Sequence, residues 1–138
     1  MTIYNQLVRG ELPIPECSKT LGFELVRFSS DTASIEVIFQ AKKIFLNPAG
    51  HVQGGFLCAM LDDVMGPALV FSLPSGSFAP TLEMNVQFLR PASRGEIKGF
   101  GSIVSKGRNV GFLEGRLEQK GKVVAKATAT AFITQHKP

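Results

Sequence analysis

Between Gly54 and Leu73 the sequence places Phe56, Leu57, Met60, Leu61, Val64, Met65, Leu69 and Val70, which fall around most of a helical circumference rather than along one stripe. Length and the Leu, Met and Ala content favour a helix there. An Asn47-Pro48-Ala49-Gly50 approach and a Pro74-Ser75-Gly76 exit mark its ends. A helix apolar on nearly every side has to be enclosed by protein on most of them. Two neighbouring acids, Asp62 and Asp63, interrupt it. A carboxylate buried there without a partner costs roughly several kcal/mol, so Asp62 has to reach a pocket, a partner or water. The plainer alternative is an acid held by backbone donors or an arginine. The two acids are about 100° apart around the axis, so they need not share an environment. Pro67 lies inside the pattern and predicts a kink or a looser last turn.

The flanking sequence supplies strands to do the enclosing. Ile3 to Arg9 reads as a short helix, ended by Gly10 and followed by Pro13 and Pro15. Strands are expected at Leu21–Ser29 and, more clearly, at Thr32–Phe39, where Ala33, Ile35, Val37 and Phe39 alternate with more polar neighbours. Lys42 to Gly50 is loop-like. After the helix, Thr81 to Leu89 alternates again, with Leu82, Met84, Val86 and Phe88 on one face. Further strands follow at about Gly95–Ser105, Asn109–Gln119 and Lys122–Thr134. They are separated by turn signals at Arg90-Pro91, Lys106-Gly107-Arg108 and Lys120-Gly121-Lys122. Consecutive strands with short turns make an antiparallel sheet. The expected architecture is therefore α+β, a curved antiparallel sheet wrapped around one long central helix. The outer face of that sheet would need covering, which a second copy can supply. A Rossmann arrangement is disfavoured, because strands and helices do not alternate.

At 138 residues, 44% hydrophobic and 19% charged, the chain fits one domain over 1–138 that buries a core without staples. Cys17 and Cys58 lack metal-ligand spacing, and Cys58 lies in an apolar run where a free thiol behaves as a small hydrophobe. No metal site is expected. The N-terminus has no basic region followed by an apolar stretch, which points to the cytoplasm. The longest apolar stretch, Phe56 to Phe71, is broken by Asp62, Asp63 and Pro67 and is no membrane span. The net charge of +4 comes from scattered basic residues without the exposed aromatics that stack on bases, which disfavours nucleic acid. A smaller polyanion, such as the phosphates of a coenzyme, suits it better, against the plain alternative of a solvated basic surface.

The chemistry concentrates between Asn47 and Asp63. Glycine is a poor helix former, yet Gly54 and Gly55 open the helix. Without Cβ atoms there, a ligand carbonyl can reach free backbone N–H groups at the positive end of the helix, the geometry of an oxyanion hole. The other explanation of the two glycines is tight packing against a strand. Gly54 and Asp62 are eight residues apart, so their backbones lie about 12 Å apart along the axis. A carbonyl held at the helix start needs its attacking group within about 3–3.5 Å. If both residues act on one carbonyl, Asp62 has to come from a second, antiparallel copy of the helix.

With Asn47, Gly50, Gly54-Gly55, Asp62, Thr81-Leu82-Glu83-Met84-Asn85, Arg90-Pro91 and Lys106-Gly107-Arg108 in this order, the chain resembles the PaaI-type branch of the hotdog-fold thioesterases over roughly residues 18–134. The resemblance implies hydrolysis of an acyl-CoA by a homodimer or a dimer of dimers. Coenzyme A is then part of the substrate, and no separate cofactor is required. By resemblance, Asp62 is the general base or nucleophile, and the amide of Gly54 or Gly55 polarises the thioester carbonyl. Asn47 helps to position the carbonyl or the water, and Thr81 lies near the attacking water. Gln53, in the substrate-binding region, occupies a position where the family often has His. It can exchange hydrogen bonds but cannot shuttle protons near neutral pH. His51 reads as a loop residue. Arg90, Lys106 and Arg108 match the CoA-facing surface. Phe56, Met60, Phe78 and Phe88 either line a pocket for a small aromatic or medium-chain acyl group or belong to the core. The alternatives are a non-catalytic acyl-CoA-binding module and a hydratase. The latter needs a proton-transfer pair that usually includes His, and the chain offers only His51 and His136.

Overall fold

The computed structural model describes residues 1–135. Helices α1 (Ile3–Val8) and α2 (Glu16–Thr20) lead into strands β1 (Glu24–Ser29) and β2 (Ser34–Ala41). A 3-10 turn at Lys43–Phe45 and a loop deliver the chain to the long helix α3 (Gly54–Val70). The strands that follow are β3 (Ser77–Phe78), β4 (Thr81–Phe88), β5 (Gly95–Lys106), β6 (Val110–Gln119), β7 (Lys122–Phe132) and β8 (Thr134–Gln135). Six of them form one antiparallel sheet in the order β1-β2-β5-β6-β7-β4, and β3 pairs with β8 separately. The sheet is curved and unclosed with α3 against one face, which is the α+β arrangement expected from the pattern and the fold that the hotdog resemblance implies.

Small residues on the central strands explain how closely the helix lies against the sheet. The inward positions of β7 are Ala125, Ala127, Ala129 and Ala131, all buried. On β5, a Cβ at Gly101 would come within 2.5 Å of the Val64 carbonyl oxygen, so the helix backbone rests directly on that strand. A Cβ at Gly115 of β6 would strike Met65 at 2.7 Å. Larger side chains, Val37, Phe39, Ile97, Leu113 and Leu117, fill the space around this contact. From α3 they receive Leu57, Met60, Leu61, Val64, Met65, Ala68 and Leu69.

Three details differ from the pattern reading. The helix continues through Pro67 as far as Val70. The chain then tightens, with Ser72 N–H donating to Leu69 C=O at 3.1 Å and Leu73 N–H to Val70 C=O at 3.0 Å, bonds of the i to i−3 type. Five residues preceding β1 form α2, too short to show a helical period. On β4 only Met84 and Val86 pack against the core, while Leu82 is 61% and Phe88 54% exposed. A bulge at Leu82 breaks the alternation, and β4 is an edge strand with no neighbour on its far side.

The outer face of the sheet carries Lys98, Glu114, Arg116 and Lys126, with the Arg116 guanidinium 4.1 Å over the Phe100 ring. No described helix is long and apolar enough to cross a membrane.

Candidate active site

The start of α3 is held by its own loop. Asn47 Oδ1 accepts from the N–H groups of Ala49 at 2.9 Å and His51 at 3.1 Å. Gly50, at φ +82°, turns the chain back and donates to Asn47 C=O. The loop is fastened to the body by Val52 N–H on Ala92 C=O and Gln53 N–H on Phe45 C=O. Asn47 thus organises the loop through its side-chain oxygen, and its amide nitrogen has no acceptor among the described residues.

Gln53 is the N-cap. Its backbone is extended, its Oε1 accepts from Gly55 N–H at 3.1 Å, and its carbonyl accepts from Phe56 and Leu57. One of the helix's initial donors is left, the N–H of Gly54, which has no acceptor among the described residues. Each glycine has a steric reason to be there. A Cβ on Gly55 would lie 2.7 Å from Gln53 Oε1, and one on Gly54 would lie 3.1 Å from the tip of the Phe88 ring on β4. Packing against a strand and an available amide are therefore both true of Gly54. His51 is an exposed loop residue, and His136 lies outside the described residues.

Two turns along the helix, the adjacent acids part company. Asp62 is exposed, and its Oδ1 accepts from the hydroxyl of Thr81, the first residue of β4, at 2.7 Å. Asp63 turns inward, where Ser18 of α2 donates to its Oδ1 at 3.0 Å. Its Oδ2 is buried without a hydrogen-bond partner among the described residues. Burial pushes the Asp63 carboxyl up to about 6, the Ser18 bond opposes this, and the neighbouring Asp62 adds to it. The acid demanding a partner inside the protein is Asp63, and Asp62 is the one that reaches the surface.

Beside both acids lies a cavity of about 1010 Å³. One wall is the N-terminal segment, including Leu7, Leu12 and Cys17, and another is α3 from Ala59 to Val70. Phe23, Phe71 and Phe78 complete an apolar lining, with Asp62 and Thr81 at its rim. Of the other aromatic and Met candidates, Met60 is wholly in the core. Phe56 stacks on Phe45 with ring centroids 4.2 Å apart, and Phe88 lies on Gly54. Cys17 and Cys58 are free thiols.

The basic candidates are far apart in one chain. The Arg90 guanidinium donates to Val123 C=O at 2.7 Å, at the end of the sheet where β6 turns into β7. Lys106 and Arg108 are exposed in the β5–β6 turn at the opposite end. The ten residues of β6 between the two turns span about 30 Å. Register places Thr81 opposite Ala131, and Ala131 opposite Gly111, at the Lys106/Arg108 end. Phe88, which touches Gly54, sits at the Arg90 end. Within one chain the candidate residues therefore fall into two groups: Asn47, Gly54 and Arg90 toward one end, Asp62, Thr81, Lys106 and Arg108 toward the other.

A single helix held in the curve of an antiparallel sheet is the arrangement of the hotdog fold. The chain belongs to the thioesterase superfamily, which matches residues 49–126. Among solved structures it is similar to a phenylacetic acid degradation-related protein of Ralstonia eutropha JMP134. That match has 42% identity and a TM-score of 0.91, covering 94% of this chain and 98% of the other. The PaaI protein of the E. coli phenylacetic acid degradation operon shares the fold at 20% identity and a TM-score of 0.83, covering 97% and 95%. So does a thioesterase of Haemophilus influenzae, at 22% identity and a TM-score of 0.77, covering 86% and 82%. None of the curated proteins compared with the chain matches it. The chain is a thioester hydrolase of the PaaI-type hotdog group.

Proposed function

We propose that the protein hydrolyses the thioester of a small aromatic or medium-chain acyl-CoA at a site assembled from two copies of the chain. The observation that carries this is the Asp62–Thr81 bond of 2.7 Å on the exposed side of α3. The same helix carries the free Gly54 N–H about 12 Å away. Gly55, Ala59 and Asp62 follow one another at spacings of four and three along that side, so they form one small-residue stripe. A second α3 running antiparallel, with the two-fold axis beside Cys58, would bring Gly54 of one helix next to the partner's Asp62. The exposed Leu82, Phe88 and Leu89 on the β4 edge offer such a copy apolar surface and open backbone groups.

In this arrangement the thioester oxygen accepts the Gly54 N–H, which is aimed by the helix and favours the developing negative charge. The Thr81 hydroxyl occupies Oδ1 of Asp62 and orients the carboxylate, leaving Oδ2 for the reaction. As general base, Asp62 takes a proton from water while the water oxygen bonds to the carbonyl carbon. The tetrahedral species then collapses as the C–S bond breaks, the sulfur taking the proton held by Asp62 so that CoA leaves as the thiol and the carboxylate is restored. As nucleophile, Asp62 bonds to the carbonyl carbon itself and the C–S bond breaks, releasing CoA and leaving a mixed anhydride that water hydrolyses to the free acid and the restored Asp62 carboxylate. Label from ¹⁸O-water appearing in the Asp62 carboxylate after one turnover distinguishes the second course. The paired groups also bring Arg90 of one copy toward Lys106 and Arg108 of the other, a set of cations for the CoA phosphates. Asn47 contributes its free amide nitrogen beside Gly54, and Gln53 fixes the cap that leaves that N–H available.

The test is thiol release from a panel of acyl-CoAs by wild type, Asp62→Ala and Asp62→Asn. Both variants are expected to lose about 10²- to 10⁴-fold in kcat while still binding the substrate. Normal turnover by Asp62→Ala would overturn the proposed mechanism.

A further inference from the structure

The open side of α3 contains a third glycine whose presence neither the backbone nor the packing within one chain requires. A Cβ on Gly66 would meet nothing within 4 Å, whereas one on Gly54 or Gly55 would strike a neighbour. Gly66 lies within the helix, where glycine is about 1 kcal/mol less favourable than alanine. What its missing side chain provides is space, and that space opens into the cavity beside Asp62.

The helix residues lining this cavity are Ala59, Asp62, Asp63, Gly66, Pro67 and Val70, one continuous face of α3. We infer that this face is the floor of a channel for a straight acyl chain of about ten carbons, and that Gly66 keeps the channel open to its full length. The inference rests on the thioesterase reading above and narrows its substrate class. Asp62 and Thr81 at the rim fix the carbonyl end. From Asp62 to Val70 is eight residues, or about 12 Å. An extended chain advances about 1.2 Å per bond, a third of the 3.3–3.6 Å spanned by the three bonds of an extended residue, so about ten bonds fill that length. Past the rim, Leu7, Phe71 and Phe78 supply apolar walls; Ser18 bonds Oδ1 of Asp63, whose Oδ2 has no partner among the described residues. A compact aromatic acyl group would occupy the near end and leave the far walls in water.

Burial of each methylene is worth about 0.8 kcal/mol, or roughly a fourfold gain. The experiment measures kcat/KM for straight-chain acyl-CoAs from butanoyl to hexadecanoyl, and for phenylacetyl-CoA, with wild type, Gly66→Ala and Gly66→Leu. Wild type is expected to rise by up to about fourfold per methylene and level off near ten carbons. Leucine at 66, one turn or about 6 Å from Asp62, should lower the decanoyl-to-butanoyl ratio by about 30-fold or more. Alanine should lower it by roughly threefold without lowering the melting temperature. It therefore keeps the test decisive if the leucine variant does not fold. A wild-type profile that peaks at phenylacetyl or at four carbons, or a ratio unmoved by either variant, overturns the channel. Turnover retained by Asp62→Ala would instead remove Asp62 as the reacting group, and absence of thiol release from every acyl-CoA by wild type would remove the hydrolytic reading on which the channel rests.

Discussion

The two sides of α3 have the same backbone and opposite duties. Its inward side, Met60, Leu61, Val64, Met65, Ala68 and Leu69, is wholly buried against glycines and alanines of the sheet. Its outward side carries Gly55, Ala59, Asp62 and Gly66, small residues around one carboxylate, and is only partly covered by the N-terminal segment. Large apolar side chains stabilise by filling space. Small ones leave space, which the proposed site gives to a substrate and a second helix. Asp62 and Asp63 show the boundary in two consecutive residues, one exposed and bonded to Thr81, the other drawn inward to Ser18.

Changes on the inward side should therefore act on stability, and changes on the outward side on turnover. The largest effect is expected inside: Leu61→Ala should cost about 2–5 kcal/mol in denaturant unfolding, with kcat per folded molecule close to wild type. A matching collapse of kcat in fully folded Leu61→Ala would erase the distinction. Outside, Thr81→Val removes the exposed hydrogen bond that orients the Asp62 carboxylate, and misplacing a reacting group by about 1 Å can cost about 10²-fold in rate. It should lower kcat by about 10- to 100-fold with KM little changed and unfolding unaffected. If KM alone moved, Thr81 would be holding substrate rather than orienting Asp62.

The smallest effect is expected at the boundary. Asp63 titrates near 3.8 when unfolded and about 6 when folded, so between those values the folded chain holds the extra proton. Its penalty is absent below about pH 3.8, grows as pH rises, and is complete above about 6. Asp63→Asn should therefore gain stability relative to wild type between pH 4 and 7, by about 1–2 kcal/mol after allowance for partial exposure. A difference independent of pH would show that the carboxyl is not held as described.

Much of the fold was legible because it is written in local periods. The all-round apolar pattern of the helix that begins at Gly54, the alternation in β2 and the turn signals that separate β5, β6 and β7 are each carried by neighbouring residues. The edge strand was read less well: alternation predicts Leu82 and Phe88 on the buried face, and neither a bulge nor an edge position has a local signature. In the site, Asp62 and Gly54 stand out as candidates by their place in the helix and Thr81 by the family resemblance, and the structure adds the bond between Thr81 and Asp62. The distribution of duties between Gly54 and Gly55 could not, since it depends on the rotamer of Gln53. Nor could the pairing of Asp63 with Ser18, 45 residues away, or the cavity wall built from α1 and the Pro13–Pro15 stretch. Those are products of tertiary packing, and only the adjacency of two acids hinted that one of them would be buried.

The central claim is that one carbonyl is served by Gly54 of one chain and Asp62 of another, and mixing two disabled variants tests it most directly. Gly54→Pro deletes the N–H at the first helical position, where proline is tolerated. The extended Gln53 before it suits a following proline, and only the mobile tip of Phe88 must give way. Asp62→Ala deletes the carboxylate. Each variant alone should be nearly inactive. Unfolded and refolded together in equal amounts, they should form mixed dimers in which one site is intact and the other lacks both groups. Half of the dimers would be mixed, so roughly a quarter of wild-type activity should return. No recovery, with mixed dimers shown to have formed, would contradict the shared site.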